Sequence, residues 1–551
     1  MSLDPASLQV LLSRLTGIAE EMGAVLMRSA FSPNIRERAD CSAALFAPDG
    51  ELLVQAEHIP VHLGSMPASV RAAIDQFGAA GLREDDQVLL NDPFAGGTHL
   101  NDLTLVAPCF VGGELVGWVA NRAHHADVGG MAPGSLPADA DEIYQEGFRI
   151  PPVRLTADVT ALLCANSRTP VERRGDLDAQ VGANVVGVAR LAALAAAPGG
   201  LSVDEVAGYG ERRMRAAIAE LPNGTWEFND VIDSTGGRPD QRAPARIAVR
   251  LTIAGDQITF DFTGSDEARP GNTNAVEAVT VSAAAYALRA VTDPTIPAVG
   301  GALRPLRVIA PPGTIVAAGP PAAVGAGNVE VSQRVADVCL GALAEAVPGR
   351  VAAAGQGTMN NLILGGAGWV YYETIGGGQG GRPGIAGSAG KGGQSGRAGK
   401  AGQSGIHTGM TNTRDTPIEA LERAYPLRVL RYRLRAGSGG AGQYAGGDGI
   451  ERVVQVLEPA TVSVISERRA TPPWGLDGGT PGATGENWLW PGGDESRREP
   501  VADKATLRLV AGDAIQILTP GGGGYGRRPA DSFPADSFPA DSLPAHERPA
   551  V

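Results

Sequence analysis

Glycine stands at every third position from residue 378 to residue 405, ten times in succession, and fills 14 of the 30 positions of 376–405. A glycine period of three is typical of collagen, but Pro383 is the one proline of the segment, so an isolated triple helix is not expected. Two interpretations remain. The segment is a flexible loop, or it is a left-handed helix with three residues per turn whose glycines share one face. The second interpretation predicts close backbone packing against other glycine-rich segments such as 437–449.

This glycine segment is basic within an acidic chain. Its intervening positions carry four cations and no carboxylate: Arg382, Lys391, Arg397 and Lys400. The whole chain has 46 basic and 60 acidic residues, which gives a net charge of −14. A chain this acidic does not favour nucleic acid or an anionic membrane as a partner. We interpret the basic segment as a solvated loop face, as a surface for an acidic patch of a partner subunit, or as a guide for a phosphorylated intermediate.

Length and cysteine spacing indicate a large protein of a reducing compartment. The 551 residues correspond to about three or four domain-sized units, or to one unusually large fold. The four cysteines are far apart and form no CxxC pair, which argues against a zinc ribbon, a redox motif and a disulfide scaffold. The start, MSLDPASL, has no signal-peptide pattern, and no run of about 18 apolar residues occurs. We therefore expect a cytoplasmic protein.

Local patterns predict helices mixed with antiparallel hairpins. Asp4-Pro5, followed by apolar residues every three or four positions, predicts a helix that ends near Ser32-Pro33. Helical patterns also cover 67–80 and 171–220, whereas alternating patterns with turn residues predict hairpins or strands over 42–55, 221–265 and 427–526. Residues 527–551 repeat PADSF and are predicted to be a disordered tail.

Histidines are concentrated in one part of the chain. Five of the seven lie between residues 58 and 125: His58, His62, His99, His124 and His125. Leu103–Val111 and Glu114–Arg122 are predicted strands joined by the turn Gly112-Gly113. In this register the residue numbers of each paired position add up to 225. Asp102 therefore lies opposite Ala123, and Asn101 lies opposite His124.

The register brings His99, Asp102 and His124 together at one end of the hairpin, because paired strands lie only about 4.7–5.5 Å apart. Two imidazoles and a carboxylate with open positions are a recurrent ligand set for a catalytic divalent ion. His125 and Asp127 lie beside this group. The alternative is that all of these are hydrogen-bonded loop residues and that His124-His125 is an incidental pair.

Other catalytic motifs are missing from the sequence. It contains no HExxH helix, no GxSxG elbow and no GK[ST] phosphate loop. Residues 440–445, GAGQYA, half-match a dinucleotide-binding fingerprint, but no helix pattern follows them. We therefore interpret these glycines as structural.

Motifs in consistent order along the chain resemble the hydantoinase B family. They are ERADCSAALF (37–46), NDPFAGGTHLND (91–102), RAHHADVGGMAPGS (122–135), RRGDLDAQVGAN (173–184), DFTGS (261–265), GNVEVSQR (327–334), TNTRDTPIEALERAYP (411–426), PPWGLDGG (472–479) and TPGGGGYG (519–526). The family includes subunits of N-methylhydantoinases, 5-oxoprolinases, lactamases such as caprolactamase, and acetone or acetophenone carboxylases. The resemblance implies an α+β class: a large multi-layer fold with antiparallel sheets, helices and the glycine-rich segment, spanning 1–526 with its metal site within 37–130.

The resemblance also implies which residues form the site. Family members bind a divalent metal through histidine and aspartate, so His99, Asp102 and His124 are expected as ligands and Asp40 as the fourth. Glu37 lies three residues before Asp40 and could face the same site. Glu37 or His125 is expected to shuttle a proton. The expected ion is zinc, manganese or iron.

The implied reaction is divided between two subunits. Family partners are actin-like hydantoinase A subunits that bind ATP and magnesium, and this chain is expected to be too short to include one. The partner would phosphorylate the carbonyl oxygen of a cyclic amide such as a lactam, a hydantoin or 5-oxoproline. The metal of this chain would lower the pKa of water from about 15.7 toward about 7 for hydrolysis. A hetero-oligomer such as a heterotetramer is expected.

Two alternatives to a hydrolase remain at this point. The chain is a subunit of an ATP-dependent ketone carboxylase of the acetone or acetophenone type, or it is a non-catalytic scaffold for the ATPase subunit. The ligand set argues against the scaffold, since a scaffold needs no stoichiometric ion.

Overall fold

The computed structural model describes residues 3–56, 59–238, 240–384 and 398–528. The helices in these ranges are α1 Pro5–Ser29, α2 Pro33–Arg36, α3 Ser65–Phe77, α4 Ile143–Glu146, α5 Ala157–Asn166, α6 Pro170–Ala195, α7 Val203–Ala219, α8 Glu277–Val291, α9 Ser332–Ala346 and α10 Ile418–Ala424. The strands are β1 Cys41–Phe46, β2 Leu52–Gln55, β3 Val88–Leu90, β4 Asp102–Val111, β5 Glu114–His124, β6 Val153–Arg154, β7 Gly224–Ile232, β8 Ala245–Ala254, β9 Gln257–Asp261, β10 Leu306–Ile309, β11 Asn361–Gly366, β12 Trp369–Thr374, β13 Leu427–Arg435, β14 Gly449–Val456, β15 Ala460–Ile465, β16 Glu486–Trp490, β17 Glu499–Pro500, β18 Lys504–Leu509 and β19 Ala514–Leu518.

The described strands form four sheets. The first has the order β2-β1-β5-β4-β3-β6, and the others are β10-β9-β8-β7, β12-β11-β15-β18 and β13-β14-β19-β16-β17. Neighbouring strands are antiparallel except for the parallel pair β9 and β10. Helices combined with antiparallel sheets confirm the predicted α+β class.

The predicted local elements are confirmed. Asp4 caps α1 by accepting hydrogen bonds from the backbone N–H groups of Ala6 and Ser7, and Pro5 takes the first helical position. The predicted hairpin of 42–55 is β1 and β2, and the helical patterns of 67–80 and 171–220 correspond to α3 and to α6 with α7. Among the described helices, none is long and apolar enough to cross a membrane.

The first sheet is covered on both faces, which explains why its strands are buried almost throughout. One face of β4 and β5 contributes Leu103, Leu105 and Val119 to the core shared with α1 and α6. The other face contributes Val106 and Ala120 to a smaller core with α3. A sheet covered on both sides excludes water from the side chains of its central hairpin, polar or apolar, except near the turn between β4 and β5.

The described part of the glycine segment packs in a bundle of extended backbone. We call this the glycine bundle, and it comprises 376–382, 399–405, 437–449, 475–482 and 520–526. Donors three residues apart reach the same neighbouring segment: Gly378 N to Pro520 O and Gly381 N to Gly523 O on one side, Gln379 N to Gln403 O and Arg382 N to Lys400 O on another. This is the periodicity of a helix with three residues per turn. The packing against 437–449 is as predicted, since Gly402 N donates to Ala445 O and Gly447 N donates to Gln379 O.

Close backbone contact requires glycine at the bundle's inner positions. A Cβ built on Gly378 would lie 2.0 Å from Gly447 O and 2.1 Å from Gly522 N. A Cβ on Gly402 would lie 1.8 Å from Gln379 O. The GAGQYA stretch belongs to the same bundle, which agrees with its structural interpretation. Residues 385–397 of the glycine segment and the PADSF repeats of the tail lie outside the described residues.

The bundle yields a stability prediction. Gly378→Ala is expected to lower the free energy of unfolding by about 1–3 kcal/mol or more, because the new methyl group overlaps backbone atoms. Urea unfolding measures this. Gly319→Ala is the matched control, since its Cβ would meet no heavy atom within 4 Å. Equal stability of the two variants would contradict the tight packing.

Candidate metal centre

The register of the β4–β5 hairpin differs from the predicted one by one residue. Val111 pairs with Glu114 as predicted, but a bulge at Val116 makes Cys109 pair with Gly117. Beyond the bulge paired positions sum to 226, so Asp102 lies opposite His124. The predicted pairs Asp102–Ala123 and Asn101–His124 are wrong for this reason. The correction places the carboxylate and the imidazole on one face of the sheet.

Three adjacent strands form a row of functional side chains. Asp40 immediately precedes β1, and its carbonyl oxygen accepts a hydrogen bond from His124 N at the end of β5, next to Asp102 at the start of β4. Ala39, just before Asp40, has φ of 55°, an uncommon backbone conformation for a residue other than glycine. Such outliers concentrate at functional sites.

Three side-chain atoms converge at this row. His99 Nε2 lies 3.3 Å from Asp102 Oδ1, His124 Nδ1 lies 3.4 Å from the same oxygen, and the two nitrogens are 3.1 Å apart. The side chains of all three residues are at most 3% exposed. The outer ring nitrogens, His99 Nδ1 and His124 Nε2, have no hydrogen-bond partner among the described residues, so the polar contacts of both rings are concentrated at this corner.

The triangle fits a single divalent ion. Ligand bonds of about 2.0–2.2 Å separate neighbouring ligand atoms by about 2.9–3.5 Å in octahedral or tetrahedral geometry, which matches the three edges. The adjoining cavity is about 20 Å³, room for roughly one water or ion. His99, Asp102 and His124 are therefore able to hold a metal. Asp40 lines the same cavity, but its carboxylate is not part of the triangle.

The second oxygen of Asp102 is held by the protein. Thr98 Oγ1 donates to Asp102 Oδ2 at 2.5 Å, Asn328 Nδ2 lies 3.4 Å from it, and His62 Nε2 lies 3.5 Å from it. The other ring nitrogen of His62, Nδ1, is 2.9 Å from Ser42 Oγ. Partners on one oxygen leave the other oriented toward the two imidazoles, as outer contacts do at metal sites.

The electrostatics of the triangle favour a charged Asp102. Burial disfavours the carboxylate, but the charge of His99 and the hydrogen bonds of His124 and His62 hold the pKa of Asp102 well below its usual value. Burial opposes a charged His99 as well, yet Asp102 raises its pKa. At His124 burial prevails and lowers the pKa. The triangle is therefore a set of potential metal-ligand atoms that includes one firmly ionised carboxylate.

A buried cation lies one row behind the triangle. Arg122 donates to the hydroxyl oxygens of Thr104, Ser65 and Ser69 at 2.9, 2.5 and 2.7 Å. Burial lowers the pKa of Arg122 to about 10, while the charge of Asp102 opposes this change. These hydroxyls fix α3 against the sheet and thereby close one side of the site.

The third sheet supplies the opposite wall. The ring of Tyr372 on β12 stacks on His124 with a centroid distance of 4.5 Å and an interplanar angle of 29°. Arg38 donates to Tyr372 O at 2.7 Å and to Thr374 Oγ1 at 2.6 Å. The segment from Arg38 to Asp40 is thus tied to β12, and the stacked phenol sets the orientation of the His124 ring.

A π-helical turn, Gly327–Val331, forms another side and leads into α9. Asn328 on this turn lines the cavity, and its Oδ1 is buried without a partner in the described part of the chain. Glu330 on the same turn accepts from Met359 N at 3.2 Å. Single π-turns inside helices are frequent at functional sites.

The structure does not bring the two expected proton shuttles to the site. Glu37 is partly exposed and pairs with Arg36 at 3.0 Å. His125 points to the opposite face of the sheet, where its Nε2 lies 2.9 Å from Gln180 Oε1 on α6. Burial lowers the pKa of His125 to about 3, with Arg173 adding to the effect. Neither residue is among the described residues that line the cavity.

Sequence analysis gave no role to three residues of the cavity wall: His62, Asn328 and Tyr372. His62 belongs to the histidine-rich region, which was a usable signal. Asn328 lies within the motif GNVEVSQR, which carried the family resemblance but indicated no role for this residue. Tyr372 reaches the site through a contact between two sheets that are distant in sequence. No local sequence pattern predicts that contact.

Comparison with known proteins places the chain among enzymes. The family profile described as hydantoinase B/oxoprolinase matches residues 4–528. An uncharacterised protein of Methanocaldococcus jannaschii is 43% identical over 536 residues, 95% of this chain and 91% of the relative. The 5-oxoprolinase 1 of Arabidopsis thaliana is 38% identical over 95% of this chain and 42% of its own length. The chain therefore spans about two-fifths of that curated 5-oxoprolinase.

Solved structures share the fold. The ATP-dependent caprolactamase from Pseudomonas jessenii superposes with a TM-score of 0.84 at 27% identity, covering 96% of this chain and 93% of that one. The nucleotide-free structure of acetone carboxylase superposes with a TM-score of 0.82 over 95% of this chain and 76% of that one. At 20% identity the second likeness shows the fold alone.

The triangle predicts which substitutions remove a bound ion. His99→Ala and Asp102→Ala are each expected to abolish stoichiometric metal in the purified chain, because each deletes one ligand atom. Elemental analysis by mass spectrometry measures the ion. His125→Gln is the control, since His125 faces the other side of the sheet and should keep the metal. Full metal retention in both alanine variants would contradict the site.

Glu330 predicts a pH dependence of stability. Burial, assisted by the nearby Glu467 carboxylate, raises its pKa from 4.5 to about 8. The folded chain therefore holds a proton that the unfolded chain releases, so this stabilising contribution is full below pH 4.5 and is lost as the pH rises through 8. Glu330→Gln is expected to make the free energy of unfolding fall less between pH 5 and 9, measured by urea denaturation. Glu345→Gln, at an exposed position of α9, should leave the pH profile unchanged.

Proposed function

The chain belongs to the hydantoinase B/oxoprolinase family, and from this premise we propose that it is the metal-dependent subunit of an ATP-dependent cyclic amide hydrolase. The observation that carries the proposal is the buried triangle of His99 Nε2, His124 Nδ1 and Asp102 Oδ1. The substrate class follows the names of two relatives, a 5-oxoprolinase and a caprolactamase, both of which act on lactam rings.

The content of the chain indicates which of the two reaction steps it carries out. It spans about two-fifths of the Arabidopsis 5-oxoprolinase, and its sequence has no phosphate loop. We therefore assign ATP, magnesium and phosphorylation of the amide carbonyl to a hydantoinase A-type partner in a hetero-oligomer. An amide resists attack because of its resonance, and phosphorylation removes that resistance. This chain then supplies the hydrolytic site.

His99, Asp102 and His124 would hold a divalent ion, which is zinc, manganese or iron, with Asp40 as the neighbouring carboxylate. When bound, such an ion supplies a Lewis acid that makes water acidic enough to act near neutral pH. Thr98 and Asn328 orient Asp102, and Tyr372 orients the ring of His124. Burial of all these side chains excludes bulk water from the reacting carbonyl.

His62 is the proton carrier in this proposal. It lines the cavity, and it stands between Ser42 Oγ at 2.9 Å and Asp102 Oδ2 at 3.5 Å. An imidazole bonded on both nitrogens takes up a proton at one and releases it at the other. The roles expected for Glu37 and His125 pass to His62, because neither of those residues lies in the cavity wall.

The test is turnover by the assembled enzyme. With its hydantoinase A-type subunit, the chain is expected to support ATP hydrolysis that rises on addition of a lactam, 5-oxoproline or a hydantoin and yields the ring-opened product. His62→Gln should lower kcat by about 10²–10⁴-fold while metal content stays at the wild-type level. The isolated chain should hydrolyse no ATP.

Each competing function has its own outcome in this experiment. Stimulation by ketones with bicarbonate and not by cyclic amides would favour a carboxylase subunit. Full turnover by a complex that contains Asp102→Ala would indicate a scaffold. Robust ATP hydrolysis by the isolated chain would contradict the divided reaction.

A further inference from the structure

The metal cavity is too small for a substrate ring. Its volume of about 20 Å³ is roughly that of one water or ion, so a cyclic amide can bring only its carbonyl group to the triangle. A chamber of about 450 Å³ lies next to it, within the range of about 300–1,000 Å³ typical of small-molecule sites. The two spaces share Ile59 and Thr411 in their walls.

Several parts of the fold build the neighbouring chamber. Gln55 ends β2, Tyr286 and Ala290 belong to α8, and the segment 407–412 follows residues 399–405 of the glycine bundle. Gln379 of the bundle also lines the chamber. Ile59 starts the short turn that carries His62 into the metal cavity. The chamber therefore opens on the side of the triangle where the proposed proton carrier stands.

Three polar atoms of the chamber wall lack partners. Gln55 is 3% exposed and its Oε1 has no hydrogen-bond partner within the described ranges. The two ring nitrogens of His407 are also buried without a partner there. Buried polar groups in folded proteins are nearly always satisfied, so orphaned atoms around a cavity indicate that a ligand completes them.

The wall groups favour an uncharged polar ligand. Burial lowers the pKa of His407 to about 4, which leaves a neutral ring with one N–H donor and one acceptor nitrogen. The charged residues of the wall are engaged by the protein: Asp293 pairs with Arg213, and Arg289 donates to the carbonyl oxygens of Ile296 and Pro297. Ile59, Leu63 and Pro294 supply apolar surface for a ring.

We propose that this space, the amide chamber, binds the ring of the cyclic amide, and that Gln55 and His407 recognise its ring nitrogen, which leaves the carbonyl group to reach the triangle. The carboxamide oxygen of Gln55 and the acceptor nitrogen of His407 accept from the ring N–H of a free lactam. In the O-phosphorylated form the ring nitrogen has lost its proton, and it accepts a hydrogen bond from the N–H of the neutral His407 ring. The inference rests on the proposed function for its substrate class. It adds where the ring lies and which residues select an amide over an ester of the same shape.

Binding of a lactam to the full-length chain tests the amide chamber. The probes are 2-pyrrolidinone and γ-butyrolactone, which differ by the ring N–H, titrated by ligand-observed NMR with metal-loaded and metal-free chain. The lactam is expected to bind more tightly than the lactone in both forms. Gln55→Met and His407→Phe should each weaken lactam binding by about 3- to 10-fold, the effect of one lost hydrogen bond.

Two further variants control for folding. Gln87→Met changes a buried glutamine that bonds Val181 O and Asn184 outside the chamber, and it should leave lactam affinity unchanged. His407→Asn keeps a donor and an acceptor and should bind more tightly than His407→Phe. Wild-type affinity in both Gln55→Met and His407→Phe, or no saturable lactam binding by the wild-type chain, would overturn the proposal.

The binding test is separable from the test of the proposed function, because it needs neither ATP nor a partner. Selective lactam binding without turnover by the assembled enzyme would contradict the proposed function and support the chamber. Lactam turnover with an unchanged KM in Gln55→Met and His407→Phe would support the function and overturn the chamber.

Discussion

The site depends on the buried carboxylate of Asp102, whose two oxygens contact different groups. Asp102 Oδ1 faces two imidazoles, while Asp102 Oδ2 accepts a hydrogen bond from the hydroxyl group of Thr98. Leaving a buried carboxylate without such partners would cost far more than a surface ion pair contributes. The carboxylate is therefore held on both sides, and its partners come from the loop before β4, the end of β5, the π-helical turn and the short turn that carries His62. A change in any of these elements would alter the orientation of the oxygen that faces the imidazoles.

The glycine bundle positions the opposite wall of the same site. Tyr372 and Thr374 precede the glycine segment, and Thr411 and Thr413 follow it. Between them the backbone of Gly377 exchanges two hydrogen bonds with Ile406. Because the bundle excludes side chains from its interior, the outgoing and returning segments approach closely enough to flank one small cavity. The repeat that dominates the sequence thus acts on the site through backbone packing, which explains how a stretch with few functional side chains contributes to it.

Sequence patterns predicted the local elements and the three metal-ligand candidates of the triangle, but not how they are joined. The turn at Gly112-Gly113 is as predicted, yet the register changes at Val116. Pro108 was the available signal, since a proline inside a sheet favours a nearby bulge. His125 follows His124 directly, and strand alternation sends it to the other face, a rule that sequence analysis left unused. Tyr372 and Asn328 come from contacts between distant segments, and no periodicity in the chain encodes those.

The charge balance of the site fits the proposed reaction. Asp40 and Asp102 bring two negative charges to the cavity region, and Arg38 and Arg122 bring two positive charges. Burial raises the pKa of Glu330 to about 8 and that of Glu146 to about 7, so these carboxyl groups add less negative charge near neutral pH than exposed ones would. A divalent ion held by the triangle would therefore leave the site with excess positive charge. That excess suits a substrate that arrives carrying a phosphoryl group, because attraction to the anion strengthens as water is excluded. In the proposed reaction, the neutral wall of the amide chamber would hold the ring, while the positive charge at the triangle would attract the phosphorylated carbonyl.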